Sequence, residues 1–300
     1  SAGAQAASPI VPPVMTVPSG SAAVEQTSHG TRPSARLVAS FDGLGTGFVG
    51  LQSYTPARNP SDNSIAVGPD HIVQIVNSRM AIFTKKGRLF DTTGKVLLGA
   101  EPTNGIFKGF GGLCEARNNG DAVVRYDQLA GRWLYVIPIF SRGKAGTRGP
   151  HADSPASQTA DSSYAMCYAV SVGADPAGPF YRYEFVRLLF PDYPRPAVWP
   201  DGYYVPTSTG DDVIQKHACV VDRARMLRGE PATEQCVIID GVNFLNNADL
   251  DGTRLPPAGA PNIMMAAGGT QLKKILEDDG ILAWAFHVDW QDPSKTRVDG

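Results

Sequence analysis

From residue 37 onward, apolar residues come in short runs broken by Gly, Pro, Asp and Lys, a pattern that predicts brief strands joined by turns. HIVQIVNSRMAIFTKKGRLF (71–90) reads as two strands, a Lys-Lys-Gly turn at 85–87 and a third strand. AVVRYDQLAGRWLYVIPIF (122–140) reads as a hairpin turning at 127–131, with β-branched and aromatic residues on both arms. CYAVSVGADPAGPFYRYEF (167–185) repeats this arrangement around a Gly-Ala-Asp-Pro-Ala-Gly turn at 173–178, and ILAWAFHVDW (281–290) is again strand-like. ARMLRG (224–229) is the best helical candidate, whereas TQLKKILED (270–278) suits a helix or a hairpin equally. The fold class expected is therefore all-β.

An internal repeat refines that expectation. AVGPDH at 66–71 recurs as AVWPDG at 197–202, each followed by an apolar run; Asp121 also precedes a strand, and APNIMMAA (260–267) supplies a further opening. A turn Asp or Asn leading into an inner strand and then hairpins is the pattern of a β-propeller of four-stranded blades. Residues 37–300 would hold about four to five blades of typical length, in a ring that is small or incomplete. A β-sandwich with long loops shares the same signature and is the alternative.

Composition narrows the setting. Glycine (32) and proline (24) suit many turns, while 27 basic against 29 acidic residues leave a net charge of -2, too close to neutral for attraction to a nucleic-acid backbone. No apolar run is long enough for a transmembrane segment. Residues 1–36, rich in Ala, Ser, Pro and Gly, read as a disordered leader or linker following a processed export signal, or as a cytosolic tail. Four cysteines lack metal-ligand spacing. Cys219 and Cys236, 17 residues apart and each opening a strand-like run, suit a local disulfide, which leaves Cys114 with Cys167; four buried thiols are the alternative. The expected location is secreted or periplasmic.

The runs NPSDNSIAVGPDHIVQIVNS, GGLCEARNNGDAVVRYDQLAGRWLYV, CYAVSVGADPAGPFYRYEF, FPDYPRPAVWPDGYYV, CVVDRARMLRGEPATEQC, ADLDGTRLPPAGAPN and FHVDW together resemble a largely uncharacterised family of exported bacterial β-propeller proteins. The likeness runs from about residue 39 to the end, and it implies the fold, export and a chain that continues further, but no particular activity. YDQLAGRW is also similar to the Asp-box turn of sialidase-type propellers, a structural hairpin.

In a propeller the starts of the innermost strands converge on a central channel. On that basis Asp62, Asn63, Asp70 and His71 are expected from one blade, Asn119 and Asp121 from the next, Asp192, Trp199, Asp201 and Tyr203 from a third, and Asn262 from a fourth. Carboxylates for proton transfer and rings for stacking on sugar faces are the ingredients of glycan handling, with Asp62, His71, Asp121 and Asp201 as catalytic candidates. Each could instead be a turn former bonded to its own backbone. His217 and His287 read as structural, and no motif places Arg58, Arg79, Arg117 or Arg195. Asn247-Ala-Asp249-Leu-Asp251-Gly252 follows the opening of a calcium loop, yet Asn replaces its first Asp and Ala258 stands where the bidentate Glu belongs. The expected partner is a glycan, handled by a binder or by a glycoside hydrolase or polysaccharide lyase. A cell-surface protein, held on a noncatalytic adhesion or interaction scaffold, is the alternative.

Overall fold

The structure, a computed structural model, describes residues 28, 30–55, 61–141, 163–187, 191–208, 216–239, 242, 244–252, 254–267 and 280–300. The chain divides into Ser1–Ala39 and Ser40–Gly300. Residues 30–39 of the first part are exposed and form neither strand nor helix.

The second part is all-β, with four antiparallel sheets of four strands each, every sheet built in chain order. The first holds β1 (Asn63–Val67), β2 (His71–Val76), β3 (Arg79–Thr84) and β4 (Val96–Pro102). After a one-turn helix, α1 (Gly112–Ala116), the second holds β5 (Val123–Asp127), β6 (Arg132–Ser141), β7 (Ser163–Ser171) and β8 (Phe180–Arg187). The third holds β9 (Ala197–Val198), β10 (Tyr203–Thr207), β11 (Lys216–Val221) and β12 (Glu234–Ile239), with helix α2 (Arg223–Arg228) between the last two. The fourth holds β13 (Asn246–Asn247), β14 (Asn262–Ala267), β15 (Ile281–His287) and β16 (Arg297–Asp299). The turns expected at 127–131 and 173–178 join β5 to β6 and β7 to β8. Asp222 caps α2 by accepting from Arg225 N at 3.0 Å, and Gly229 ends it in the left-handed conformation. The 270–278 segment lies outside the described residues.

Alternation along the strands explains why the sheets stack. Val73, Ile75 and Ile82 of the first sheet pack on Val124, Trp133, Tyr135 and Ile137 of the second. The opposite face of the second sheet, through Leu134, Val136, Met166 and Tyr168, meets Val198, Tyr203, Val205 and Val221 of the third. Tyr204, Ala218 and Val220 then meet Met264, Ala266 and Phe286 of the fourth. Strands such as β6 are thus apolar on both faces, as expected when a sheet is covered on both sides. Each large side chain so buried contributes about 1.5–3 kcal/mol. The first strands of the first three sheets are neighbours, β1 packing against β5 and β5 against β9, while β13 of the fourth sheet meets β10.

Both disulfides form with the expected pairing, Cys114–Cys167 tying α1 to β7 and Cys219–Cys236 joining β11 to β12. Among the described residues, no helix is long and apolar enough to cross a membrane.

Candidate functional site

Because every sheet is an antiparallel meander, each has a leading end, where its first strand starts, and a trailing end, where the first strand turns into the second. At the leading end, Asp62 and Asn63 open β1, and Asp121 comes just before β5. These residues line one cavity of about 370 Å³ together with Arg125, Tyr193 and Arg195. Gly120 is needed there: a Cβ on it would lie 1.5 Å from the Pro138 carbonyl oxygen, so only glycine lets the chain approach β6 and deliver Asp121.

The two carboxyls are coupled. Asn77, in the turn between β2 and β3, donates its one amide nitrogen to Asp62 Oδ2 at 3.1 Å and to Asp121 Oδ1 at 3.0 Å. Burial pushes the Asp121 carboxyl up to about 7, reinforced by the charges of Asp62 and Asp192 and by a direct hydrogen bond with Asp62. Near neutral pH, Asp121 therefore still holds its proton in a large share of molecules and can donate it within the site. Asp192 faces the same site and is tied to the third sheet by its bridge with Ser208 and by the Tyr193 N–H, which donates to Oδ1 at 2.9 Å.

A cationic and aromatic cluster adjoins the acids, with Tyr193 and Arg195 lining the same cavity. The Arg195 guanidinium carbon sits 4.7 Å from the Tyr193 ring centre and 5.3 Å from that of Phe244, and the two rings meet nearly edge to face at 6.2 Å. Arg195 Nη1 donates to Leu245 O at 3.2 Å. Burial lowers the pKa of Arg195 and also that of Lys216, where the Arg195 charge adds to the effect. Tyr193 and Phe244 remain 50% and 49% exposed, enough to present a ring to a ligand.

Backbone conformation marks the same place. Among the described residues, the non-glycine positions with positive φ are Asp62 (37°), Asn77 (53°), Tyr193 (52°) and Phe244 (27°), and all four belong to this end of the sheets. Asn tolerates such a conformation; Tyr and Phe do not, and strain of this kind collects at functional sites.

The other expected site residues lie elsewhere. Asp70, His71, Trp199, Asp201, Tyr203 and Asn262 stand at the trailing end, because the repeated AVGPDH and AVWPDG segments finish a first strand and open a second. Asp70 Oδ1 accepts from Leu89 N at 2.9 Å, a bond that holds its carboxyl below the usual range. Burial lowers the His71 pKa, and its ring meets Phe90 edge to face at 5.3 Å. Trp199 Nε1 donates to Ala260 O at 3.1 Å, Tyr204 donates to Asp201 Oδ1 at 3.2 Å, and Asn262 Nδ2 donates to Ala248 O at 2.8 Å. The Tyr203 hydroxyl donates to buried Asp127 Oδ2 at 2.7 Å. Asn119 stays at the leading end, where it brackets the Phe140 backbone by donating to its carbonyl at 2.6 Å.

The calcium-like loop is used in strand connection. Asn247 Nδ2 donates to Tyr204 O at 2.8 Å, Asp249 Oδ1 accepts from Val198 N at 2.8 Å and Leu250 N at 3.0 Å, and Arg125 lies 3.9 Å from Asp249 Oδ2. Asp251 is exposed. Asp249 Oδ1 is thus spent on two backbone N–H groups and a guanidinium stands beside its other oxygen, so this residue offers a hard cation little support. Cys219, Glu234 and Cys236 also cluster, but both sulfurs are in a disulfide and supply no thiolate ligand.

A larger cavity of about 440 Å³ lies between the first sheet and the 176–180 turn region, lined largely by Pro, Gly and apolar residues. Its Arg182 is spent on the Ile106 and Lys108 carbonyls, so the paired acids identify the smaller cavity as the chemical site. Comparison of the chain with protein-family models, curated proteins and solved structures finds no match. Sequence reasoning did not single out Asn77, Tyr193, Lys216 or Phe244, and left Arg195 without a role. The Pro-Arg-Pro run ahead of the two-residue strand β9 was the available signal.

Proposed function

We propose that this chain is an exported domain of the β-propeller type whose leading-end mouth binds a carbohydrate. The propeller reading is supported by four meander sheets stacked in chain order, with neighbouring first strands in the first three. Export accords with two disulfides, which persist in oxidising compartments. The glycan reading rests on one coincidence: paired acids, the half-exposed Tyr193 ring and strained backbone gather at one cavity, with the half-exposed Phe244 ring packed beside Tyr193 and Arg195. Carboxylates and an amide bind sugar hydroxyls, and the rings offer faces for stacking.

A second reading, acid–base processing of the glycan, is favoured by the raised Asp121 carboxyl. The Asn77 amide nitrogen, 3.1 Å from Asp62 Oδ2 and 3.0 Å from Asp121 Oδ1, keeps these oxygens short of the roughly 6.5–9.5 Å at which inverting glycoside hydrolases place their carboxyls. Binding is therefore the leading reading, with hydrolysis or lysis requiring the pair to open around substrate.

A glycan array on the wild-type chain, followed by calorimetry on Tyr193→Ala and Asp62→Asn, tests the proposal. Binding of at least one glycan class, weakened about tenfold or more by either substitution, is the expected result. Absence of any glycan binding, or affinities unchanged in both variants, would sink the carbohydrate reading in favour of a protein-interaction scaffold. Turnover of a bound glycan that disappears in Asp121→Asn would select the processing branch.

A further inference from the structure

Outside the mouth, the disulfide of the third sheet lies in an unusual setting. Cys219 is buried on β11 and Cys236 is exposed on the edge strand β12, directly opposite it in the register. Arg187, at the end of β8 in the neighbouring sheet, reaches across so that Nη1 lies 2.8 Å from Cys219 Sγ and 3.3 Å from Cys236 Sγ. Its Nη2 pairs with Glu234 Oε1 at 2.5 Å, and the Tyr168 hydroxyl donates to the same oxygen at 2.9 Å. The other disulfide differs in each respect: Cys114 and Cys167 are both buried in the apolar core between the first two sheets.

A guanidinium touching two bonded sulfurs gains nothing special while they are neutral. It gains a full charge interaction once one becomes a thiolate. Glu234 opposes that charge from within 4.8 Å of the sulfurs, but Arg187 Nη1 is in direct contact with both sulfurs and the Tyr168 hydroxyl also bonds to the Glu234 carboxylate. From these features we infer that Cys219–Cys236 is a thiol-exchange site, opened by an external dithiol and closed again by the disulfide form of that same donor while the fold stays intact. The reaction needs no other oxidant or reductant. A thiolate of the dithiol bonds to Cys236 Sγ, the Cys236–Cys219 bond breaks, and its electron pair passes to Cys219 Sγ beside Arg187. The second thiol of the donor, after losing its proton, attacks the donor sulfur of the mixed disulfide and releases Cys236. The donor leaves as a disulfide, and its two protons are available to the two cysteines.

The inference is independent of the carbohydrate reading and has its own internal control. The folded full-length chain is treated with dithiothreitol, quenched with N-ethylmaleimide and mapped by mass spectrometry, with circular dichroism recorded in parallel. Cys219 and Cys236 should be labelled about tenfold or more faster than Cys114 and Cys167, with the β-sheet signal unchanged. Arg187→Gln should slow that opening several-fold and Arg187→Lys should restore much of the rate. A purely structural Arg187 would give the opposite sign, because looser packing exposes the disulfide and speeds its reduction. Equal labelling of all four cysteines, or opening only as the sheet signal is lost, overturns the inference even where Arg187→Gln fails to fold.

Discussion

At the trailing end of the sheets, Asp70 and Asp127 are answered by backbone N–H groups, joined at Asp127 by an arginine and a tyrosine hydroxyl; at the leading end Asp62 and Asp121 are answered by one another and by one shared amide. Asp127 is the clearest case of the first kind. Fully buried, it accepts from Leu129 N and Ala130 N at 3.0 Å each, from Tyr203, and from Arg223 Nε at 2.7 Å and Nη2 at 3.0 Å. Asp121 is the clearest case of the second, with Asp62 and Asp192 as neighbours and a single shared amide from Asn77. The residue type and its place beside a strand are the same. What differs is whether the surroundings supply enough donors, and that decides whether a carboxylate holds the fold together or stays poised for chemistry.

Substitutions at the two ends should therefore act in opposite directions. Asp127→Ala should cost the most, about 3–5 kcal/mol, because it strands Arg223 and Tyr203 in the interior. Chemical denaturation measures this, and a loss below about 1 kcal/mol would remove the structural half of the contrast. Asp121→Asn should do the reverse at alkaline pH. The folded-state pKa of Asp121 is raised to about 7, so the folded chain holds a proton that the unfolded chain has released, and stability falls as pH rises from the ordinary aspartate range toward 7. An amide escapes this penalty. The variant should match wild type near pH 3.5 and exceed it at pH 8 by about 1–2 kcal/mol, the full shift being reduced by solvent screening. Equal stability at both pH values would mean that Asp121 is not held protonated.

Two smaller effects sharpen the comparison. Asp62→Asn should return the Asp121 carboxyl part of the way to its usual range by removing a neighbouring charge, leaving the burial contribution in place. Asn77→Gly keeps the left-handed turn conformation while deleting the shared donor. The Asp121 pKa should then climb further, by about half a unit to one unit, because its ionised form loses a hydrogen bond. A downward shift in Asn77→Gly would show that the amide does not favour the charged form.

Much of the architecture could be read from local chemistry. Turn residues at 127–131 and 173–178 and the alternation of apolar positions specify meander sheets, and the spacing of Cys219 and Cys236 led to both disulfide pairings. Asp62 and Asp121 were recognisable because each stands just ahead of a first strand. The AVGPDH and AVWPDG repeat lies at the trailing end and not at the strand starts where the sequence suggests it. β9 is only two residues long, too short to register as a strand in the sequence, so the longer apolar run of β10 looks like the opening one. Arg195, Tyr193 and Phe244 were beyond local reasoning for another reason. Their proximity depends on how the third and fourth sheets stack, and nothing in the residues around Arg195 specifies the ring of Phe244 as its neighbour.

The most direct measurement is a carboxyl-carbon NMR titration of aspartate-labelled protein, wild type beside Asp62→Asn. A proton shared at the leading-end mouth requires one aspartate resonance with a midpoint near 7 in the wild type that moves to lower pH in the variant. Titration of every aspartate below about pH 5, or a midpoint near 7 that ignores the loss of Asp62, would contradict the coupled pair on which the proposed site rests.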